Sequence, residues 1–426
     1  MQIQKLASLW TKERTAILAR GGAAAPAIKK TVAAILQKIR QDGETAALAL
    51  TKKFDGIKLK SLAVSVKELK AVDEKSAKFD FLRSAAENIQ KFHENQLANI
   101  RAEKKVQTAK GVQIWREWRP IARVGIYAPG GLATYPSSVL MQALPARIAG
   151  CTEIVLATPP RKDGSISEVV IAAAKLSGVT KILKVGGAQA IGALAFIEKV
   201  EKITGPGNPW VTEAKSQISS EIPIDMPAGP SEILILADDS AVPRFVAADL
   251  LSQAEHASDS TALLVTTSAK LAKAVDRELA MQIVKLSRRA IAQKSLDSRG
   301  RILVAKNLPS ALAFVNEFAA EHLEICLAAA EKILPQIQNA GSIFLGNFSS
   351  EPAGDFATGT NHVLPTAGFA RNFAPLSVES FGKKIQIQKI SKAGLAAIRA
   401  TCEKFGAVEG LDAHARSISI RFDAKN

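Results

Sequence analysis

Residues 119–131 read RPIARVGIYAPGG, and residues 136–150 read PSSVLMQALPARIAG. The first is a short apolar run that breaks at a Pro-Gly-Gly turn, and the second is a helical stretch. The same alternation then repeats. EIVLATPP (153–160) predicts a strand, SEVVIAAAKLSG (167–178) a helix, KILKVGG (181–187) a strand and AQAIGALAFI (188–197) a helix. KITGPGNPWVTEAKSQI (202–218) predicts strand, turn and helix, and EILILADD (232–239) a further strand. Strands alternating with helices at this spacing form βαβ units around a parallel sheet. The fold class is α/β.

Small residues close these strands: Pro129, Gly130 and Gly131, then Gly186 and Gly187, then Gly205 and Gly207. Ligands of open α/β sheets bind at that edge. Such a sheet also needs glycines there for steric reasons, so both readings stand. A G-x-G-x-x-G fingerprint is absent, and so is an acidic ribose partner at the usual distance. The pattern fits a nucleotide-type domain with an unusual or partial cofactor site.

A second alternating block follows, with TALLVTTS (261–268), a helix to about Ala292, RILVAK (301–306), a helix from Ser310, LEICL (323–327), a helix and SIFLGN (342–347). Two Rossmann-like parallel-sheet domains are therefore expected. Upstream, Ile28, Val32, Ile35, Leu36 and Ile39 form a helical stripe that ends at the turn QDGE, and a long charged helix is expected from about Ser84 to Ala102. The segment before it, to about Arg20, reads as an arm or isolated helix ended by Gly21 and Gly22. After Leu376 come a strand (KIQIQKI, 384–390), a helix (391–410) and a final segment SISIRFD. This tail is too small for a core of its own and should pack on another domain or subunit. The expected organisation is an arm (1–21), a main α/β domain (22–123 with 233–375), an inserted Rossmann-like domain (124–232) and a C-terminal tail (376–426).

A chain of 426 residues is too long for one comfortable core. No apolar run approaches the roughly 20 residues that span a bilayer, and MQIQKLASLWTKERT lacks the apolar centre of a signal peptide. Cys151, Cys326 and Cys402 show no paired spacing, which fits a reducing compartment. A cytoplasmic location is expected. The net charge is +16, and residues 1–124 hold 25 Lys and Arg against 12 Asp and Glu, or +13 of it. The lysines are scattered along amphipathic helices, with no run interleaved with aromatics. A solvated basic face is favoured over a nucleic-acid surface.

The chemistry centres on LLSQAEHASDS (250–260), which reads as one helix carrying Gln253, Glu255, His256 and Asp259. Residues three apart share a helix face. Gln253 beside His256 could make half of a divalent-metal site, although spacing alone leaves open a polar face that meets solvent. The other histidines sharpen the reading, since the chain has only five. His322 adjoins Glu321 in AAEHLEI, His362 follows Asp355 in GDFATGTNHVLPT, and His414 follows Glu409 in EGLDAHARS. Only His93, in KFHENQ, stands in an ordinary charged helix. The Gly/Pro/Thr-rich stretch 349–368 reads as a long functional loop that presents Asp355, Asn361 and His362 on the surface of a sheet.

These segments, with RVGIYAPGGLATYPSSVLMQALPARIAGC, VGGAQAIGALAF, ITGPGNPWVTEAK and DMPAGPSEILILAD, closely resemble those of the histidinol dehydrogenases. The resemblance runs nearly end to end. It implies two NAD-dependent oxidations, of L-histidinol to the aldehyde and then to L-histidine, the last steps of histidine biosynthesis. It also implies a homodimer with one zinc per subunit. The implied zinc ligands are Gln253, His256 and Asp355, with His414 donated across the dimer interface. The implied catalytic pair is Glu321 and His322, with His322 as the base and Glu321 activating water. Ser231, His362 and Glu409 would touch the substrate, which the zinc ligands and catalytic pair also border. Tyr127, Gln189 and Asn208 would lie at the NAD site.

Overall fold

The alternation produces two separate parallel sheets in the computed structural model, which describes residues 1–20, 25–101, 103–130, 134–227 and 229–423. Gly21, Gly22 and Gly131, read above as the end of the arm and part of a turn, lie outside the described residues. The chain opens on β1 (Gln2–Lys5), followed by β2 (Val106–Ala109) and β3 (Val112–Pro120). Four short strands come next: β4 (Arg123–Tyr127), β5 (Glu153–Thr158), β6 (Lys181–Lys184) and β7 (Lys202–Thr204). Then come β8 (Glu232–Ala237), β9 (Thr261–Thr266), β10 (Arg301–Val304), β11 (Ala320–Cys326) and β12 (Ala340–Leu345), with β13 (Gly382–Ile390) near the end.

The chain divides into two units, Met1–His93 with Ile121–Phe381, and Glu94–Pro120 with Gly382–Asn426. The first holds both parallel sheets. Its smaller sheet has the order β6-β5-β4-β7, the first half of a doubly wound arrangement. Its larger sheet has the order β1-β10-β9-β8-β11-β12, parallel throughout. Every residue of β8 and β9 is buried, as the continuous apolar runs of a sheet covered on both faces require.

Three expectations change here. The opening segment is not an isolated arm: β1 pairs with β10 at the edge of the larger sheet, and Leu6 enters its core. Edge pairing needs only backbone groups, so little in QIQK announces it. The helix Pro26–Asp55 does not join the larger sheet. Its buried stripe of Val32, Ile35, Leu36 and Ile39 packs in one core with Tyr127, Val155 and Leu183 of the smaller one. The expected turn QDGE is a kink inside this helix, where Gly43 has a φ of 56°, a value glycine adopts without the Cβ penalty. Finally, residues 94–120, expected in the main domain, form one unit with the tail, because β13 pairs antiparallel with β3 along its whole length and β3 with β2. The helices Lys392–Val408 and Asp412–Ser419 complete that second unit. Among the described residues no helix is long and apolar enough to cross a membrane.

Candidate active site

Strand β11 is buried at all seven positions, yet it reads Ala-Glu-His-Leu-Glu-Ile-Cys. Polar side chains in such a strand are the informative ones. The two-residue period puts His322 and Glu324 on one face. His322 Nδ1 donates to the Glu232 carbonyl of neighbouring β8 at 3.1 Å and lies 3.6 Å from Glu321 Oε2. Its Nε2 is thereby turned toward Asp355 Oδ1 at 3.6 Å and Glu351 Oε1 at 3.8 Å. Glu321 Oε2 in turn accepts the Glu232 backbone N–H at 2.8 Å.

The helix Pro243–Ala254 supplies Gln253 from its last turn. It stops earlier than the sequence reading expected, so His256 and Asp259 stand in the turns beyond it and not on its face. The reason is local: Ser260 Oγ accepts the Ala257 N–H, and Ser260 N–H bonds back to the Ala257 carbonyl, which turns the chain into β9. Gln253 and His256 still meet, with Nε2 3.4 Å from His256 Nδ1.

Residues 349–368 are not all loop. Glu351–Phe356 is a helix, and it buries Asp355 and Glu351 on its inner side. The Glu351 N–H donates to Glu324 Oε1 at 2.8 Å, and Ser252 Oγ donates to Glu351 Oε2 at 3.2 Å. The spacing Glu-x-x-x-Asp, one helical turn, was the signal that could have found Glu351. Asn361 and His362 are not displayed on a surface either. Asn361 is buried and donates to the Met141 carbonyl, and His362 Nδ1 donates to the Asp355 carbonyl at 3.1 Å, with its Nε2 3.4 Å from Ser138 Oγ. His93 is fully buried on its long helix, donating to the Ile89 carbonyl, with Asn361 Nδ2 3.4 Å from its Nε2. The charged residues around it in sequence had concealed an inward-facing position.

Burial raises the Glu351 carboxyl to about 8, and neighbouring Asp355 adds to the effect. For Asp355 burial also opposes ionisation, but the His322 and His362 imidazoles beside it outweigh it and hold the group down at about 2. Burial lifts Glu321 to about 8. His322 would be neutralised by burial, yet Glu321, Asp355 and Glu351 surround it and lift it to about 10. Burial lowers both His256 and His362, favouring their neutral, lone-pair-bearing forms.

Four buried atoms here lack hydrogen-bond partners among the described residues: Gln253 Oε1, His322 Nε2, Glu351 Oε1 and Glu324 Oε2. Leaving such groups dry and unpaired costs on the order of 1–3 kcal/mol each. Ligand atoms of His322, Glu351 and Asp355 all lie within 4.8 Å of one another. Nitrogen and oxygen donors at this density suit a divalent cation such as zinc. Ser231 is half-buried just before β8, its carbonyl bonded to the Thr261 N–H. Glu409 and His414 belong to the second unit, at the end of Lys392–Val408 and on Asp412–Ser419, and both are exposed in the single chain.

At the carboxyl end of the smaller sheet lies a cavity of about 920 Å³, lined among others by Tyr127, Gly130, Gly186, Gly187, Gln189 and Asn208. The Tyr127 hydroxyl accepts the Gly187 N–H at 3.3 Å, and Asn208 Oδ1 caps the helix Pro209–Ile218 by accepting from Trp210 and Val211. Gly205 has a φ of 124°, and a Cβ there would sit 2.2 Å from the Tyr127 carbonyl, so only glycine lets β4 and the turn after β7 approach. Asp55, from the far end of the helix Pro26–Asp55, also lines the cavity and accepts from Gln189 Nε2 at 3.5 Å. It stands too far away in sequence to have been foreseen.

Comparison with known proteins points to one family. The family model described as histidinol dehydrogenase matches residues 18–422. The histidinol dehydrogenase of Methanosarcina barkeri is 44% identical over 100% of this chain and 99% of its own length. That of Listeria monocytogenes serovar 1/2a is 46% identical over 94% of each. The crystal structure of histidinol dehydrogenase from Elizabethkingia anophelis superposes with a TM-score of 0.94 at 41% identity, covering 100% of this chain and 98% of that one.

Proposed function

The chain belongs to the histidinol dehydrogenase family, and from that premise we propose that it oxidises L-histidinol through the aldehyde to L-histidine, with NAD accepting the hydrides and zinc bound beside the catalytic pair. The observation that carries this is the buried meeting of His322, Glu351 and Asp355, with His322 Nε2 and Glu351 Oε1 left unpartnered. Gln253, His256 and Asp355 would hold the zinc, joined by His414 of the partner subunit in a homodimer. The donor set fits: Asp355 stays ionised and His256 neutral. When bound, zinc would supply a positive charge able to hold electron-pair donors of the substrate and to offset the Asp355 field acting on His322. NAD supplies the hydride acceptor, in the cavity bordered by Tyr127, Gln189 and Asn208.

The side chains then divide the proton work. His322, with Nδ1–H fixed on the Glu232 carbonyl, offers Nε2 to the substrate hydroxyl proton in each oxidation. The aldehyde must be hydrated before it can lose a second hydride, and Glu321, titrating near the working pH, takes the proton from that water. Ser231, His362 and Glu409 would hold the substrate, and His362 is already fixed through Nδ1, which leaves Nε2, 3.4 Å from Ser138 Oγ, as its acceptor.

The test is the NADH formed per L-histidinol consumed by zinc-loaded protein, expected at about two because each oxidation passes one hydride. A ratio of one, or faster turnover of another small alcohol than of L-histidinol, would overturn the reading.

A further inference from the structure

Glu232 is the common support of both proposed catalytic side chains. Its carbonyl receives His322 Nδ1, its N–H goes to Glu321 Oε2, and its own Oε1 accepts the Glu321 N–H at 3.2 Å. The Glu232 carboxylate is itself buried, 1% exposed, and meets a cation from near the start of the chain. Arg20 Nη2 donates to Glu232 Oε1 at 2.9 Å and Arg20 Nε to Oε2, a two-pronged contact of the kind that fixes a carboxylate in orientation as well as in place.

Arg20 also holds the turn that leads into β11. Its Nη2 donates to the Phe318 and Ala319 carbonyls, and its guanidinium carbon lies 3.4 Å from the centre of the Phe318 ring. Ala319 has a φ of 53°, in the left-handed region that alanine adopts only under constraint. Glu321 and His322 follow it directly. Arg20 therefore touches none of the proposed metal or substrate groups, yet it binds both the residue that orients the catalytic pair and the turn that delivers it.

We infer that Arg20 is a positioning residue for the oxidation, acting through Glu232 on Glu321 and His322. The inference rests on the proposed roles of those two residues. A purely structural ion pair would affect stability alone, because buried pairs of this kind can often be replaced by neutral residues without loss of fold. A positioning pair affects turnover even in a stable variant.

The experiment compares zinc-loaded wild type, Arg20→Lys, the neutralised double variant Arg20→Met with Glu232→Gln, and His322→Ala. The double variant removes both charges together, so no buried charge is left alone. Expected are an unchanged KM for L-histidinol, a kcat lower by on the order of a hundredfold as for a misplaced catalytic group, and a displaced pH–rate profile. Arg20→Lys keeps the charge without the fork and should recover part of the loss. If the double variant keeps the wild-type kcat and pH profile, or Arg20→Lys is as impaired as the double variant, the inference is wrong. If the double variant does not fold, Arg20→Lys decides alone: a wild-type kcat and pH profile overturn the inference, and a lowered kcat with a displaced profile supports it. Failure of the underlying reading looks different, since His322→Ala would then oxidise L-histidinol as well as wild type does.

Discussion

The Nε2 atom of His322 lies 3.6 Å from Asp355 Oδ1, one on a buried strand and the other on a short helix beyond the next strand. The contact turns an imidazole edge and an ionised carboxylate toward the same small volume. It also contributes to the unusual titration of both groups: Asp355 adds to Glu321 in raising the imidazole, and the imidazole lowers the carboxylate.

His322→Ala should abolish both oxidations, while Glu321→Gln should mainly impair the aldehyde-to-acid step. Removal of one proton-transfer group costs on the order of a hundredfold or more. Rates with L-histidinol and with the supplied aldehyde separate the two variants. A Glu321→Gln enzyme that oxidises the aldehyde at the wild-type rate would refute the division of labour.

Cofactor affinity should depend on Gln189 and Asn208. Asn208 caps a helix, and Ala there would cost about 1 kcal/mol of stability by itself; Asn208→Ser keeps a capping oxygen. Gln189→Ala and Asn208→Ser should each raise the Michaelis constant for NAD and weaken NAD binding measured by titration calorimetry. Unchanged binding in both variants would move the cofactor elsewhere.

Zinc-free protein should lose stability as pH rises. Glu321 and Glu351 go from 4.5 to about 8 on folding, and His322 from 6.5 to about 10. All three keep protons that the unfolded chain has already released, so the folded state binds more protons and stability falls with pH. The carboxyl contribution is intact below about 4.5 and lost by about 8; that of His322 is intact below 6.5 and lost by about 10. Asp355 acts in the opposite direction in acid, between 3.8 and about 2, and His93, His256 and His362, lowered by burial, oppose the trend up to about 6.5. The expected result is a Tm that declines from roughly pH 7 to pH 9 in chelator and declines less with zinc, whose positive charge would offset the loss of those protons. A Tm that climbs over this range in chelator contradicts the assignment.

His414 should serve the site of the partner subunit. Inactive His414→Ala and inactive His322→Ala chains, mixed equally and allowed to exchange, pair at random, so activity should return to about a quarter of wild type. In each mixed dimer one site is free of lesions and the other carries both. If each chain uses its own His414, every site keeps one lesion and no activity returns.

The alternation from RPIARVGIYAPGG onward was enough to read two parallel sheets, because a strand buried on both faces must be a short apolar run and its crossover must be a helix. The pairs Gln253–His256 and Glu321–His322 were legible for a similar reason, since each is local in the chain. What the sequence could not determine is how distant elements meet. β1 gains its place at the sheet edge from backbone hydrogen bonds with β10, which impose little on side-chain identity. Glu351 and Asp55 reach the site and the cavity only when separate elements pack together. His93 lies in a charged stretch, and its inward direction depends on which face of a long helix meets Asn361. Arg20 finds Glu232 across 212 residues of sequence. Local periodicity specifies which residues share a face; only the tertiary packing decides what that face is pressed against, because the energy of those contacts lies between segments and not within them.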